Sequence, residues 1–293
     1  MEKQLQELRS LASSAGNRRT ETGIPRVAMV QGEIPEHQLS AVYEPMINLI
    51  LTGSKTMTVG ERTFAYDPAT YFVMSVDLPA VGSVHPSASG APYLAVSLTL
   101  HPPTVAALMS DLPVQVRSKL SGSGFSVAPV NDEFLDAWVR MLRLMQRPDE
   151  VSVLAPAYER EILFRVLQGP LGWMLRDIAA PDAALSRIGV AIQWIRENFA
   201  KPLRVEALAE MASLSISAFH RHFKAVTALS PIQYQKQVRL LHARTLLMAG
   251  GGSATEVAFG VGYESPNQFS REYARQFGSP PSKDVMRLRG QVT

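Results

Sequence analysis

A sequence pattern that occurs twice between residues 205 and 281 constrains the fold of this chain more than any other feature. The first copy reads VEALAEMASLSISAFHRHFK and the second reads EVAFGVGYESPNQFSREYARQF. Ala209 and Ala258 lie 49 residues apart, whereas Phe219 and Phe269 lie 50 apart, so the second copy has one extra residue in its turn. Each copy combines a short apolar helix, a tight turn and a second helix with apolar residues at i and i+4. This order predicts two helix-turn-helix units.

Polar residues at the expected helix starts support both units. Ser215 is placed to cap the second helix of the first copy. In the second copy, Ser265 and Gln268 have the spacing of a capping box. The letters SPIQ from Ser230 repeat this box between the copies. They open a connecting helix that we expect to end near Met248, before a run of glycines.

The side of each second helix that faces away from its aromatic residues carries polar and basic side chains. Such side chains donate hydrogen bonds to base edges and phosphates in a DNA major groove. The alternative interpretation is that these are the ordinary solvated faces of two amphipathic helices. The candidate DNA-binding residues are Ser217, His220, Arg221 and Lys224 in the first copy, and Asn267, Gln268, Ser270, Arg271 and Arg275 in the second.

The distribution of charge agrees with contact to a polyanion. From Ser186 onward the chain has 14 Lys and Arg against 7 Asp and Glu, whereas the preceding part has 15 against 19. Five basic residues and no acidic residue occur between Met211 and Thr255. Binding to DNA phosphates requires such a surplus of positive charge, although random clustering of solvated charge produces similar segments.

The segment Val205–Pro281 resembles the double helix-turn-helix DNA-binding domain of AraC-type transcriptional regulators. The resemblance rests on LSISAFHRHFK, SPIQYQKQVRLLHARTLL and VAFGVGYESPNQFSREYARQFGSPP, and the last block corresponds to the signature region of the family. It extends over nearly the whole chain, towards a sub-branch with a cupin-like amino-terminal domain. It implies double-stranded DNA as a partner, a small-molecule effector, a homodimer, and RNA polymerase as a further candidate partner. The chain departs from the family after Pro281, where SKDVMRLR replaces the common Pro-x-x-Tyr-Arg ending.

The part of the chain before the repeat contains strand-like segments. Short runs rich in Val, Ile, Tyr and Thr alternate with turn signals such as TGS from Thr52 and DLP from Asp77. A spacing of about 8–12 residues predicts an antiparallel sandwich or barrel, and the resemblance implies a cupin-like barrel that senses an effector. The predicted strands are RVAMVQ, INLILTG, KTMTV, RTFAY, YFVMSV and YLAVSLTL, preceded by a short helix through Leu5, Leu8 and Leu11.

The residues of this predicted barrel offer little reactive chemistry. The chain has no Cys, which excludes disulfides and thiol catalysis. Its histidines in this region are isolated and lack the pattern of a metal-ligand cluster: they are His37, His85 and His101. We therefore predict no metal, no cofactor and no catalytic residue. Tyr43, Tyr66 and Tyr71 are candidates for effector contacts, with turn and rim packing as the alternative, and the effector itself is unknown.

Helical patterns follow the predicted barrel. The run PTVAALMSDL is a first short element, and Asn131 with Asp132 caps a longer helix that we expect to stop at Pro148. A further helix is expected over Glu159–Gln168, followed by LGWMLRDIAA. We predict a cupin-like sensor and dimerisation domain over residues 20–178. A linker, IAAPD, separates it from the double helix-turn-helix domain over residues 183–293.

The predicted fold class is α+β, with a cupin-like β-barrel and following helices before an all-α double helix-turn-helix domain. The predicted function is effector-controlled binding of promoter or operator DNA. No apolar core of signal-peptide length and no run of 18 apolar residues occur, so we expect a cytoplasmic protein without a membrane partner. Two alternatives stay open: a metal-dependent or other cupin enzyme with a DNA-binding domain, and a constitutive DNA-binding dimer without an effector.

Overall fold

The amino-terminal half of the protein is built on two antiparallel sheets. A computed structural model describes residues 1–16, 19–32, 40–112, 123–180 and 183–290. The strands of this described part are β1 (Thr20–Glu21), β2 (Val27–Gln31), β3 (Ser40–Tyr43), β4 (Met46–Thr52), β5 (Ser54–Val59), β6 (Arg62–Tyr66), β7 (Thr70–Met74), β8 (Leu78–His85), β9 (Leu94–Thr99) and β10 (Phe125–Pro129). They form a six-stranded sheet in the order β1-β2-β9-β4-β7-β10 and a four-stranded sheet in the order β3-β8-β5-β6.

The inner faces of the two sheets pack against each other. Along β5 the burial alternates, so that every second side chain points inward, as the two-residue period of a strand requires. The rings of Phe64 on β6 and Phe72 on β7 stack across the two sheets, with centroids 5.2 Å apart. Met57 and Ala95 belong to the same buried cluster. The predicted antiparallel sandwich or barrel is therefore confirmed.

All six predicted strand segments contain a strand, but the prediction of a turn at Asp77-Leu78-Pro79 was wrong at its last two residues. Strand β8 begins at Leu78, and Pro79 pairs with Val42 of β3. On the other side of β8, the pairing with β5 extends only from His85 to Val81. Pro79 therefore lies beyond the end of β5, at an edge position where its missing N–H breaks no ladder.

In the described part of the chain before residue 180, five helices pack against the outer face of the six-stranded sheet. They are α1 (Glu2–Leu11), α2 (Pro102–Ser110), α3 (Asp132–Arg143), α4 (Pro148–Gln168) and α5 (Gly172–Ala179). Leu49 and Val73 of the sheet share one buried cluster with Trp138 and Ile162 of the helices. Tyr71 packs in this layer, with its ring 4.5 Å from that of Phe134, and so faces the helices.

The helix capped at Asn131 stops before Pro148, as expected, but the next helix starts much earlier than Glu159. Helix α3 already ends at Arg143 and is followed by a 3₁₀ turn over Leu144–Gln146, whereas Pro148 is the first residue of α4. A proline is suited to that position because the first helical N–H has no partner in any case. The helix predicted over Glu159–Gln168 is the second half of α4, which also accommodates Pro156. The predicted cap at Asn131 is confirmed, because its side chain accepts from the backbone N–H of Phe134 at 2.8 Å.

The second half of the described chain is helical. Its helices are α6 (Ala184–Glu197), α7 (Val205–Met211), α8 (Ile216–Thr227), α9 (Pro231–Met248), α10 (Ala254–Gly260), α11 (Pro266–Phe277) and α12 (Pro281–Gly290). The pairs α7–α8 and α10–α11 are the two predicted helix-turn-helix units, and α9 is the connecting helix with the expected end. Among all helices of the described residues, none is both long and apolar enough to cross a membrane.

Polar contacts hold the helical half against the barrel. Arg196 near the end of α6 forms an ion pair with Asp77, which lies between β7 and β8. The hydroxyl of Tyr234 on α9 donates to the carbonyl of Asp77 at 2.7 Å. The N–H of Gly124 donates to the carbonyl of Val226 near the end of α8 at 2.8 Å. The barrel therefore contacts the first helix-turn-helix unit directly.

Candidate DNA-binding interface

The two helix-turn-helix units have the same turn geometry. Leu214 donates its N–H to Ala209, and Tyr263 donates its N–H to Ala258, each at 2.9 Å. The residue before each donor adopts a positive φ: 53° at Ser213 and 90° at Gly262. Equivalent residues of the two copies lie 49 apart as far as Leu214 and Tyr263, and 50 apart from Ser215 and Ser265 onward. The extra residue of the second copy is therefore Glu264.

Buried aromatic residues fix the second helix of each unit. Phe219 and Phe223 on α8 are fully buried, and their ring centroids lie 5.4 Å apart. Phe269 and Tyr273 on α11 repeat this arrangement at 5.5 Å. Burial of a large apolar side chain stabilises a fold by about 1.5–3 kcal/mol. The two helices are therefore anchored in the same way and direct their opposite sides to solvent.

Three of the expected caps are present, and one of the two expected capping boxes is incomplete. The hydroxyl of Ser215 accepts from the N–H of Ala218 at 3.3 Å, and Ser230 forms the full reciprocal box with Gln233. Ser265 accepts from the N–H of Gln268 at 3.3 Å, but the Gln268 side chain does not return the bond. Its amide instead donates to Glu272 one helical turn later, at 3.4 Å.

A further capping box starts α10 and was not predicted. Ser253 accepts from the N–H of Glu256, and the Glu256 carboxylate accepts from the N–H of Ser253 at 2.8 Å. The signal was available in the sequence, since Ser-x-x-Glu precedes the apolar run of the second copy.

The nine candidate DNA-binding residues lie on α8 and α11. Ser270 is half-buried and the other eight are exposed. On α8, Ser217, Arg221 and Lys224 follow one another at spacings of four and three residues, which places them on one side of the helix. On α11, Asn267, Arg271 and Arg275 do the same at spacings of four. The structure thus forms one basic surface on each second helix, and α9 connects the two units.

Three of the five basic residues between Met211 and Thr255 make contacts within the protein. Lys236 pairs with Glu272 at 3.0 Å. Arg239 donates to the carbonyl of Phe199 at 2.7 Å, at the end of α6. Arg244 pairs with the fully buried Asp284 at 2.9 Å. Fewer side chains of this segment are therefore available to bind phosphate than its charge suggests. Arg221 and Lys224 are the two basic residues that line the exposed side of α8.

The segment that departs from the family pattern forms a buried polar network. Asp284 of α12 accepts from Arg244 on α9, from Tyr273 on α11 at 2.9 Å, and from Arg287 at 2.8 Å. Burial by itself would raise the pKa of Asp284, but these hydrogen bonds and the charge of Arg244 outweigh it and hold the pKa below its usual value. The network joins α9, α11 and α12.

The described residues contain no group of three or more His, Cys, Asp or Glu side chains arranged to bind a metal ion. His37 lies outside the described residues. Tyr43 and Tyr66 lie on β3 and β6, on the inner side of the barrel, and Tyr66 is buried while Tyr43 is half-buried.

Comparison with known proteins identifies both halves of the chain. Residues 23–174 match the family model described as AraC-type transcriptional regulator N-terminus, and residues 208–286 match a helix-turn-helix domain. The chain is 34% identical over 166 residues to the HTH-type transcriptional activator RhaS of Salmonella schwarzengrund. It is 30% identical over 155 residues to RhaS of Escherichia coli O1:K1 / APEC.

These matches cover 56% and 52% of this chain, and 58% and 54% of the two relatives. The chain therefore spans little more than half the length of the curated relatives that it matches. An apo structure of ToxT from Vibrio cholerae strain SCE256 superposes with a TM-score of 0.58 at 10% identity, covering 92% of this chain and 99% of ToxT, which shows a shared fold. The family match over more than half of the chain decides the assignment: this protein belongs to the AraC-type transcriptional regulators.

Proposed function

We propose that this protein regulates transcription by binding promoter or operator DNA with both helix-turn-helix units, under the control of a small molecule bound in the barrel. The observation that carries the proposal is the pair Arg221 and Arg271. Each follows a fully buried phenylalanine by two residues, and each is exposed on the second helix of its unit. Two equivalent surfaces of this kind are suited to two equivalent contacts with DNA.

The length of α9 fits contact with two segments of the same DNA face. Its 18 residues correspond to about 27 Å at 1.5 Å per residue. Successive turns of the major groove on one face lie about 34 Å apart. Because α9 connects the two units, we expect their second helices to lie about one turn of DNA apart.

We assign the roles of the candidate residues by their chemistry. Arg221 and Arg271 contact base edges, because a guanidinium binds guanine through two hydrogen bonds. Lys224 and Arg275 contact phosphates near the ends of the reading faces. The remaining contacts come from polar side chains: Ser217, His220, Asn267, Gln268 and Ser270. The hydrogen bond from Gln268 to Glu272 competes with base contacts by that amide, so the second unit relies more on Arg271.

The contact between the barrel and the helices provides a route for control. The ion pair of Asp77 with Arg196 and the hydrogen bond from Tyr234 join the regions that we assign as the sensor domain, residues 20–178, and the DNA-binding domain, residues 183–293. An effector that favours one arrangement of this junction shifts the population of DNA-binding states. We further propose a homodimer formed through the first domain. RNA polymerase is proposed as a partner because the RhaS relatives are named transcriptional activators.

The test compares arginines assigned to bases with a lysine assigned to phosphate. A specific duplex is first selected from a random library with the full-length protein, and binding is measured by fluorescence anisotropy. Arg221→Ala and Arg271→Ala are each expected to weaken binding to the selected duplex by about tenfold or more, because a bidentate contact contributes about 1–3 kcal/mol of discrimination. Binding to a random duplex changes less. Lys224→Ala weakens binding to both duplexes by a similar factor.

The salt dependence of the DNA affinity tests separately whether Lys224 contacts a phosphate. The logarithm of the affinity falls with the logarithm of the salt concentration by about 0.9 for each phosphate contact. Lys224→Ala is therefore expected to reduce the slope. If both arginine variants lose the same affinity for selected and for random DNA, the arginines do not contact bases as assigned. If the wild-type chain retains no duplex at all, the proposed function is contradicted.

A further inference from the structure

The carboxylate of Glu272 on α11 accepts hydrogen bonds from three separate parts of the chain. It pairs with Lys236 of α9 at 3.0 Å and accepts from the hydroxyl of Tyr263, in the turn before α11, at 2.8 Å. It also accepts from the side-chain amide of Gln268, one helical turn earlier, at 3.4 Å. Burial by itself would raise the pKa of Glu272, but these three donors outweigh it and hold the pKa below its usual value. Glu272 is therefore a fixed anion at neutral pH, with its side chain only 14% exposed.

This carboxylate determines which end of the Gln268 amide faces it. An ionised carboxylate only accepts hydrogen bonds, so the NH₂ group of Gln268 must point towards Glu272. The carbonyl oxygen of the same amide then points away from Glu272. Gln268 is exposed in the first turn of α11, three residues before Arg271 and therefore on the same side of the helix. The oxygen is thus the group that Gln268 presents on the side assigned to DNA.

The first helix-turn-helix unit has no counterpart of this arrangement. At the equivalent positions it has Leu214, Ala218 and His222. Leucine and alanine have no side-chain donor, so neither of them repeats the bonds that Tyr263 and Gln268 make. The fixed amide is a property of the second unit alone, and the site of the first unit is an internal control in any DNA selection.

We propose that Glu272 is a positioning residue that directs the side-chain oxygen of Gln268 to the exocyclic amino group of one base, adenine or cytosine. In the major groove these two bases offer an N–H donor, whereas guanine and thymine offer acceptors. A free glutamine amide can rotate by half a turn and present either its NH₂ group or its oxygen, and Glu272 removes that choice. This inference rests on the proposed function, because it assigns a class of base to one contact of the same DNA-binding surface.

The test removes the amino group of one base. Full-length wild-type protein selects a duplex from a random library, and selection with Gln268→Ala identifies the base pair whose preference depends on Gln268. Each base pair has one exocyclic amino group in the major groove, on adenine or on cytosine. A second duplex lacks that group, because purine replaces the adenine or 2-pyrimidinone replaces the cytosine. Fluorescence anisotropy gives the ratio of the two affinities for each protein, and this ratio cancels the general effect of a changed charge near DNA.

The wild type is expected to bind the duplex without the amino group about fivefold or more weakly, the lower end of what one base contact contributes. Gln268→Ala measures the loss that comes from the altered base pair alone. Glu272→Gln is expected to show a loss close to that of Gln268→Ala, because residue 272 can then donate as well as accept and no longer fixes the amide. Glu272→Met, which removes the carboxylate altogether, is a second variant with the same expected result.

Tyr263→Phe separates positioning from a general loosening of the second unit. It removes another donor to Glu272 but leaves the contact with Gln268, so it is expected to unfold at a lower temperature and to keep the wild-type sensitivity to the amino group. An equal loss of sensitivity in Tyr263→Phe overturns the proposal.

Three other results also overturn it: no base preference depends on Gln268, the wild type is no more sensitive than Gln268→Ala, or both Glu272 variants keep the wild-type sensitivity. Each of these is distinct from failure of the proposed function, which shows itself when the wild-type protein retains no duplex in the selection.

Discussion

At the scale of single residues, the chain uses several of its charges for internal contacts. Arg244 and Asp284 form a buried pair, with side chains 8% and 0% exposed. Such a pair offsets the cost of desolvation only when hydrogen bonds satisfy both partners. Tyr273 and Arg287 complete the set around Asp284. Asp284 thereby attaches α12 to α9 and α11.

Removal of the Asp284 charge is expected to destabilise the protein. Asp284→Asn keeps the shape of the side chain but leaves Arg244 buried without its counter-charge, at a cost of about 3–5 kcal/mol. Because the pKa of Asp284 is lowered in the fold, its contribution is present above the unfolded-state pKa of about 4 and is lost as the pH falls through the folded-state pKa. Urea unfolding of both proteins is expected to show a difference at pH 7 that narrows below about pH 4. A difference that does not depend on pH would contradict this account.

At the scale of elements, the turn in each helix-turn-helix unit depends on one residue with positive φ. The first unit places Ser213 there, whereas the second requires Gly262. A Cβ built on Gly262 would lie 2.1 Å from the carbonyl oxygen of Ala200, a distance that no side chain tolerates. The difference arises because the segment after α6 approaches the second turn closely. The turns are thus alike in conformation and different in their surroundings.

Substitutions at Ser213 and Gly262 are expected to show how much the contact with Ala200 restricts the second turn. Gly262→Ala adds backbone strain of about 1–3 kcal/mol and forces Ala200 to move, so we expect a clear loss of stability and of binding by the second unit. Ser213→Gly is the matched change in the first unit, and it is expected to alter stability by less than about 1 kcal/mol. Thermal unfolding together with DNA binding measures both effects. Equal behaviour of the two variants would show that the contact with Ala200 has no influence.

At the scale of the whole molecule, the barrel and the DNA-binding half share a buried apolar cluster. Phe72 and Leu78 of the barrel belong to it together with Phe219 and Tyr234 of the helices. The side of α8 that carries Arg221 and Lys224 stays exposed in this arrangement, because the barrel contacts Val226 near the end of the helix. This arrangement is therefore compatible with access to DNA at the exposed side of α8.

Loss of the ion pair at the junction is expected to loosen the two halves. Arg196→Met removes the partner of Asp77 and leaves that carboxylate half-buried without compensation. Hydrogen exchange is expected to become several-fold faster in the last turn of α6 and at the start of β8, with α11 and α12 unchanged. Arg140→Met, which removes an ion pair with Glu161 on α3 and α4, serves as the control. Unchanged protection of α6 in Arg196→Met would mean that the ion pair does not contribute to holding the junction.

Local patterns of the sequence were sufficient to predict most elements of this protein. The repeat, the caps at Ser215 and Ser230 and the alternation of apolar residues reflect interactions within a few residues, and they identified both helix-turn-helix units and six strands. They missed that Pro148 begins a helix and that Pro79 lies in a strand, because the effect of a proline depends on whether its missing N–H is needed by a neighbouring element. The roles of the nine candidate DNA-binding residues are still predictions, although their exposure agrees with them.

The tertiary structure decided what depends on residues far apart in the chain. Lys236, Arg239 and Arg244 look the same in sequence as Arg221, yet the first three bind carboxylates and carbonyls contributed by distant parts of the chain. Lys55 lies in a strand of ordinary composition, and only the closure of two sheets buries it beside Tyr43. The physical reason is common to these cases: the free energy of a charge depends on its partners and on its access to water, and long-range packing determines both.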